Sequence, residues 1–415
     1  MSKRDRVTIL GLNYAPEPTG NAPYTAALAR HLQHTGRDVT VLTTFPHYPQ
    51  WRRYAGYAGW RTAQDDDGVR LIRLRHWIPN PPRGTRRLIS EITFGARVLF
   101  ARWHRPETVI LVSPALFSTW FGMIRLVFKR NTQRVVWVQD LYSQGMEETG
   151  EGGSAARRVV RAIEGWTLRR AHVVVAIHGT MAARMSSSLR VDPERITTIP
   201  NWTHVTASRL APEAAKEQLG WPAQFTALHA GNMGLKQGLE VVVAAARIAR
   251  EQGRDLRFVL MGDGGARRRL EELAGGLENV DFVDPLDQSQ FPIALAAADV
   301  LLVTEAPGIA EMAAPSKLTS YFAAGRPVAA SVAETGIVAS IMEDASAGPV
   351  AVGGDASALL EAIGSLQGNA AAYEAACSNA VAYWERKLSP DHALVAWEHV
   401  LRPPILSANQ GGELT

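Results

Sequence analysis

Cysteine is almost absent from this chain of 415 residues. The lone Cys377 excludes a disulfide framework and any cysteine-rich metal site. Long apolar runs are missing as well: the longest, Thr108–Ile124, is interrupted by Ser113-Pro114 and Gly122, which argues against a membrane span. The first residues lead only to the short apolar stretch Val7–Leu12 before Asn13 and two prolines, so no signal peptide is expected and the chain is expected in the cytoplasm. No Walker loop is present, and no Gly-x-Gly-x-x-Gly follows the first apolar stretch. There the chain instead reads Gly11 to Pro18, then Gly20-Asn21, and its two prolines are incompatible with a dinucleotide-type phosphate turn. No His, Cys and Asp spacing matches a zinc site. The acidic run Asp65-Asp66-Asp67 precedes Gly68 and reads as a solvated turn, so no metal is expected. Repeats and low-complexity tracts are lacking too.

What is present is an ordinary globular composition, 46% hydrophobic and 20% charged, on a chain long enough for two to three domains. The net charge of +4 hides a split. Residues 1–200 hold 29 Lys and Arg against 15 Asp and Glu, and the remainder holds 15 against 25. Such asymmetry points to halves that face different things: a basic half suits phosphates, an anionic membrane surface or nucleic acid, unless the two domains simply attract each other.

Both halves alternate short β-branched runs with helical stretches, the pattern of parallel, doubly wound α/β sheets. In the first half strands are predicted at Val7–Leu12, Asp38–Thr43, Val69–Leu74, Thr108–Val112, Arg134–Val138, His172–Ala176 and Ile196–Ile199, with a helix over Tyr24–His34. The series restarts after Pro200-Asn201-Trp202, with strands at Phe225–Ala230, Arg257–Met261, Val280–Val283, Val300–Val303 and a last one at Pro327–Ala330. Helices are predicted over Gly238–Glu251 and Lys317–Ala324. Two Rossmann-like domains follow, residues 1–204 and 205–382, with a tail over 403–415 expected to be disordered.

Open α/β sheets bind ligands where strands end and helices begin. The loop Tyr14–Asn21 occupies such a place; Gly20 admits close backbone approach and the following helix N-terminus favours an anion. In the second half Gly231-Asn232-Met233-Gly234-Leu235-Lys236-Gln237-Gly238 combines glycines with a lysine ahead of a helix, a phosphate cradle. Ala314-Pro315-Ser316-Lys317 opens another helix with two oxyanion donors. One diphosphate held between these loops is the expectation. Gly262-Asp263-Gly264-Gly265 either approaches a nucleobase or turns the chain.

In this order the motifs resemble retaining GT-B glycosyltransferases of family 4, most closely the colanic-acid-biosynthesis-type branch. The resemblance runs over about residues 6–400 and rests on Asn13-Tyr14-x-Pro16-Glu17-x-Thr19-Gly20, Phe45-Pro46-x-Tyr48-Pro49, Gln139-Asp140-Leu141-Tyr142 and Ile199-Pro200-Asn201-Trp202. It continues through Gly231 to Gly238, Pro315-Ser316-Lys317-Leu318 and Ala324-Gly325-Arg326-Pro327-Val328. The resemblance implies two Rossmann-like doubly wound domains facing a central cleft, an acceptor in the N-terminal domain and a nucleotide-diphosphate sugar in the C-terminal one. UDP-sugars are favoured, with GDP-sugars as the other option, and helices over 383–402 cross back to the first domain. It implies transfer with retention to a glycan or lipid-linked acceptor in cell-surface polysaccharide biosynthesis, with no cofactor and no nucleic-acid partner. Donor binding falls to Gly20, Gly231, Asn232, Lys236, Gly262, Ser316, Lys317, Ser320 and Glu311, and the acceptor side to Tyr14, Asn21, His47 and Gln139.

Many members carry two glutamates eight apart; those places hold Met312 and Ser320 here, leaving Glu305 or Glu311 as substitutes. Lys236, Lys317 and helix amides would neutralise the leaving diphosphate, and Asp140 would orient the acceptor hydroxyl. His47 and His178 are weaker candidates. Alternatives are a nucleotide-dependent oxidoreductase, a sugar-nucleotide epimerase of the same fold and a catalytically silent sugar-nucleotide binder. Basic and aromatic residues interleave at Trp51-Arg52-Arg53-Tyr54, over Arg83 to Arg87, and at Phe94, Arg97, Phe100, Arg102 and Trp103, read as one helix, so peripheral contact with anionic membrane is expected.

Overall fold

The computed structural model describes residues 5–18, 20–80, 85–129, 131–149, 153–203, 205–308 and 316–402. The chain forms two compact units, Met1–Pro200 with Leu394–Thr415, and Asn201–Ala393. The tail over 403–415 lies outside the described residues.

In the first unit the order is β1 (Arg6–Leu10), α1 (Ala22–His34), β2 (Asp38–Thr44), β3 (Arg61–Asp66), β4 (Val69–Leu74), α2 (Thr85–Phe100), β5 (Thr108–Ser113) and α3 (Leu116–Val127). It continues with β6 (Gln133–Val138), α4 (Tyr142–Thr149), α5 (Ser154–Arg169), β7 (Val173–Ala176), α6 (Gly179–Leu189) and β8 (Ile196–Thr198). The eight strands lie in the order β3-β4-β2-β1-β5-β6-β7-β8, all parallel neighbours except β3 on β4. Strands covered by helices on both faces read as unbroken apolar runs, which is why Val7–Leu10 and Thr108–Val112 are legible and buried.

The edge strand β3 (Arg-Thr-Ala-Gln-Asp-Asp) is polar and mostly exposed, so no apolar period announces it. Asp65 and Asp66 therefore belong to a strand; only Asp67 and Gly68, both at positive φ, make the turn. The helix expected to run through Trp103 ends at Phe100. There Arg125 Nη1 donates to the carbonyls of Val98, Leu99 and Ala101, and the Trp103 indole donates to Val98 O at 3.0 Å, which terminates α2.

The second unit runs α7 (Pro212–Leu219), β9 (Phe225–Ala230), α8 (Glu240–Glu251), β10 (Leu256–Met261), α9 (Arg267–Leu273), β11 (Val280–Val283), α10 (Phe291–Ala297), β12 (Val300–Thr304) and α11 (Ser316–Ala323). Then follow β13 (Val328–Val332), α12 (Ile337–Ala345), β14 (Val350–Val352), α13 (Ala356–Gln367) and α14 (Ala370–Tyr383). Its sheet is parallel, in the order β11-β10-β9-β12-β13-β14. The sheet does not end at the strand expected near Pro327–Ala330: β14 adds to its edge, with only its middle residue buried. The last helix, α15 (Pro390–Val400), passes from the second unit's residues to the first's. Its Trp397 ring meets Trp137 of β6 at 4.9 Å and its Glu398 accepts from Thr35 at 2.9 Å. Among the described residues no helix is long and apolar enough to cross a membrane.

Strand order places each unit's crevice. Chain direction across the sheet reverses between β1 and β5 in the first unit and between β9 and β12 in the second. At such a switch point adjacent loops leave in opposite directions and open a gap at the C-terminal strand ends.

Candidate functional site

At the second unit's switch point, backbone packs on backbone. Gly231 N donates to Met261 O at 2.8 Å, Met233 N to Asp263 O at 2.8 Å and Ala266 N to Met233 O at 2.9 Å, so the loops after β9 and β10 are laced together. Gly262 has φ +139°, and a Cβ there would lie 1.9 Å from Gly231 O, so only glycine fits. The expected nucleobase-or-turn alternative for Gly262 thus has a definite structural component: it is buried as a turn against Gly231. Asn232 Nδ2 donates to Gln237 Oε1 at 3.3 Å, and Gly234 N donates to the same oxygen at 3.0 Å.

Lys236 is exposed on a 3-10 turn, Leu235–Gln237, and not on the helix itself, because Gly238 takes a left-handed φ of +56° before α8 begins. Its carbonyl accepts from Ala306 N at 2.9 Å, tying this loop to the end of β12. Lys317, in the first turn of α11, lies beside Gly231: a Cβ on that glycine would stand 3.9 Å from Lys317 Cε. Burial pulls the Lys317 ammonium down to about 8 against the opposing pull of Glu305, and burial raises the Glu305 carboxyl against the opposing pull of Lys317. Glu305 follows β12 and is buried, as is His229 of β9, which burial and the Lys317 charge keep neutral. A carboxylate and an ammonium therefore sit together at the strand ends, next to a loop stripped of side chains.

Tyr321 holds this arrangement from below. Its hydroxyl accepts from Ala230 N at 2.8 Å and donates to Ala230 O at 3.2 Å, clamping α11 to the end of β9. Ser320 is half-buried with its Oγ 3.5 Å from Thr203 Oγ1. Glu311 and the side chain of Ser316 lie outside the described residues.

The first unit's switch point is built from side chains. Glu17 is 2% exposed and accepts four hydrogen bonds: from His47 N and Tyr48 N at 2.8 Å each, from Asn13 Nδ2 at 3.0 Å and from Tyr14 N at 3.2 Å. It welds the loop after β1 to the loop after β2. Arg73, buried in β4, donates to Thr44 O at 3.1 Å and to Ala15 O, with its guanidinium 5.3 Å from the Tyr57 ring centroid. Asp66 receives Tyr14 Oη at 2.7 Å and Arg30 Nη2 at 2.9 Å; burial opposes its charge, yet these donors hold its carboxyl below the usual range.

These contacts give two of the expected acceptor-side residues partners inside the protein. Tyr14 is fully buried with its hydroxyl spent on Asp66, and His47 is 1% exposed with Nδ1 3.0 Å from Phe45 O. Both help build the loop. Burial, stronger than the attraction of Glu17, keeps His47 neutral. Gly20 (φ +68°) and Asn21 stand ahead of α1 in the first unit, whereas the other donor-side candidates belong to the second. Asp140 is exposed at the end of β6; its Oδ1 accepts from Leu141 N at 2.8 Å and its carbonyl from Ser113 Oγ at 3.3 Å, beside half-buried Gln139. His178 caps α6 by accepting from Met181 N at 3.1 Å. Glu17, Arg73, Asp66 and Tyr321 escaped sequence reasoning, although two arginines, Arg70 and Arg73, in the otherwise apolar strand Val-Arg-Leu-Ile-Arg-Leu and a carboxylate among the loop's prolines were visible signals.

The expected interfacial aromatics divide. Phe94 and Trp103 are core residues, 0% and 5% exposed, because they close the apolar layer between α2 and the sheet. Ile89, Ile92 and Phe100 of α2, with Trp60 and Trp77, are exposed. Arg83 lies outside the described residues.

Two doubly wound units, the second with glycine- and lysine-bearing loops at its strand ends, define the architecture of GT-B glycosyltransferases. Residues 19–202 match the glycosyl transferase 4-like domain and residues 224–369 the glycosyl transferases group 1 family. The colanic acid biosynthesis glycosyl transferase WcaI of Escherichia coli (strain K12) is 31% identical over 339 residues, 77% of this chain and 81% of that one. Among solved structures, sucrose-phosphate synthase from Thermosynechococcus elongatus superposes with a TM-score of 0.69 at 19% identity, covering 96% of this chain and 98% of that one. Anabaena HepE in complex with UDP superposes at 0.68 with 15% identity, covering 95% and 99%; HepE is also known with UDP-glucose. The chain belongs to glycosyltransferase family 4.

Proposed function

We propose that the protein transfers a sugar from a nucleoside-diphosphate sugar, a UDP-sugar ahead of a GDP-sugar, to a glycan or lipid-linked acceptor in cell-surface polysaccharide synthesis. Transfer proceeds with retention and without a metal ion. The observation that carries this reading is the Lys317 ammonium beside Gly231 at the second unit's switch point. Close backbone and a partly desolvated cation suit a diphosphate, and charge there stabilises the leaving group as its bond breaks. Glu305 stands where a donor hydroxyl can be read, in place of the glutamates that Met312 and Ser320 replace. HepE's complexes with UDP and UDP-glucose support the choice of base, and WcaI's name supports a polysaccharide context. Lys236 adds a second, exposed cation, and Asp140 orients the acceptor.

The protein works at the cytoplasmic face of the membrane, held peripherally by the exposed side of α2, where Ile89, Ile92 and Phe100 supply apolar contact and neighbouring arginines meet anionic lipid.

A thermal-shift panel of nucleotides and nucleotide sugars tests the donor, since the ligand that binds best raises the melting point most. UDP and UDP-sugars should give the largest rise, and NMR of the product should show the donor's anomeric configuration kept, in the presence of EDTA. An inverted product, or activity lost to EDTA and restored by magnesium, would refute the mechanism. Vesicle sedimentation tests the membrane contact: binding should need anionic lipid and weaken with salt.

A further inference from the structure

A hollow of about 720 Å³ opens in the first unit beside the loops already described. Phe45, just past β2, and Arg75 and His76, just past β4, line it, so it lies on the C-terminal edge of the sheet, where the switch-point loops also end. Its chemistry is one-sided. Arg52, Arg53, Arg75 and Arg97 all line it, and no carboxylate does. None of the four is ion-paired among the described residues. Arg52, Arg53 and Arg75 are solvent-exposed.

The walls are aromatic and fixed. Trp60 carries the guanidinium of Arg75 and that of Arg97 at 5.3 Å each, and its carbonyl accepts from Arg75 N at 3.0 Å and from Arg97 Nη2 at 2.8 Å. The Trp77 main chain is held to α2: its amide N–H donates to Thr93 Oγ1 at 3.2 Å and its carbonyl accepts from Ser90 Oγ at 2.7 Å. Arg52 N donates to His47 O at 3.2 Å, so the Glu17-centred network sets the far wall as well. Trp60 and Trp77 are nonetheless 68% and 43% exposed. Large exposed indoles on a tethered backbone, among cations with no carboxylate partner among the described residues, leave a cavity of sugar-binding size suited to an anion.

We propose that this hollow binds the negatively charged part of an acidic acceptor, a glycan bearing a carboxylate or a phosphate. The exposed arginines hold the anion by fork-like hydrogen bonds, and the tryptophan faces pack against the sugar. This rests on the glycosyltransferase reading above and names the acceptor's chemical class. A concave, scaffold-tied site favours a sugar over a lipid headgroup, which needs only a basic surface. Lys236 and Lys317 belong to the other unit.

The test uses the full chain and three soluble probes, methyl β-glucuronide, glucose 1-phosphate and methyl β-glucoside, read by tryptophan fluorescence and calorimetry. The acidic sugars should bind at least about tenfold more tightly than the neutral one. Whichever acid binds better identifies carboxylate or phosphate as the recognised group. Arg52→Gln with Arg53→Gln should bring acidic and neutral sugars within about twofold, with the melting temperature and UDP affinity unchanged; Trp77→Ala should weaken all three sugars. Equal binding of acidic and neutral sugars overturns the proposal, as does acid preference surviving the double substitution. Inorganic phosphate binding as tightly as glucose 1-phosphate while the glucuronide fails to bind also overturns it, because the site then reads an anion and no sugar. Anionic vesicles captured through the same arginines, with no soluble sugar bound, would make it a headgroup surface and overturn it too. If UDP still binds, these failures leave the donor reading standing; if neither UDP nor any nucleotide sugar binds, it is that reading that falls.

Discussion

The two switch points solve the same topological problem with opposite materials. In the second unit the loops meet through glycine backbone, and Lys317 and Glu305 stand beside them at the strand ends. In the first unit the loops meet through Glu17, Arg73, Tyr14 and His47, all buried, so charged groups are consumed in holding the loops. Polar side chains at a strand end are therefore poor guides to function by themselves. What separates the sites is whether partners within the protein already satisfy those groups.

Removing the Glu17 carboxylate tests this comparison most severely. Glu17→Ala leaves two loop amides, Tyr14 N and the Asn13 side chain without their acceptor inside a dry loop, beside the buried cation Arg73. The expected loss is about 3–5 kcal/mol of stability. Urea unfolding measures it, and a loss below about 1 kcal/mol would mean the loop is not held this way. Gly262→Ala comes next: a Cβ 1.9 Å from Gly231 O at φ +139° should cost roughly 2–4 kcal/mol by strain and overpacking. It should also push the Gly231 loop away and weaken UDP binding, whereas Gly253→Ala, at an exposed turn with open space around it, should leave UDP binding alone.

The fold was legible because buried parallel strands write continuous apolar runs; β4, β9 and β11 have the predicted bounds. The strands missed were edges, β3 and β14, where one side faces water and no run forms. At the sites, glycine spacing marked the second unit's loops, since only glycine tolerates such approach. The first unit's loop was visible as a motif, but which members were spent internally was not. Tyr14 and His47 look like substrate residues in sequence, and only the structure reveals their long-range partners Asp66 and Glu17.

Lys317→Met sharpens the comparison from the second unit. Burial works against this ammonium, but its charge also supports the buried Glu305 carboxylate, so the two effects oppose and its loss should change stability little. Donor affinity should fall, because charge-assisted contacts of this kind are worth roughly 1.5–3 kcal/mol, about tenfold to a hundredfold. Lys236→Ala, at an exposed position where water screens the charge, should cost about tenfold or less. Titration of UDP by calorimetry separates them; an equal loss in both variants would remove the distinction drawn between buried and exposed cations.

The smallest effect is a pH dependence with two opposite signs. Lys317 releases its proton near 8 in the folded protein, whereas an unfolded chain keeps it until roughly 10.4. Between those values the unfolded state binds the extra proton, so the contribution of this residue to ligand-free stability rises as pH increases. Donor affinity moves the other way, because the neutral amine no longer attracts a diphosphate. From pH 7 to 9 the charged fraction falls about tenfold for a group of this kind, which caps the loss; a bound anion raises the pKa and reduces it to several-fold. The neighbours pull in known directions: burial and the Lys317 charge keep His229 neutral, and burial raises the Glu305 carboxyl against the pull of Lys317. Lys317→Arg keeps its charge throughout, so UDP affinity in that variant should stay flat over the same interval. Equal slopes in wild type and Lys317→Arg would assign the pH dependence to another group and return Lys317 to a purely structural role.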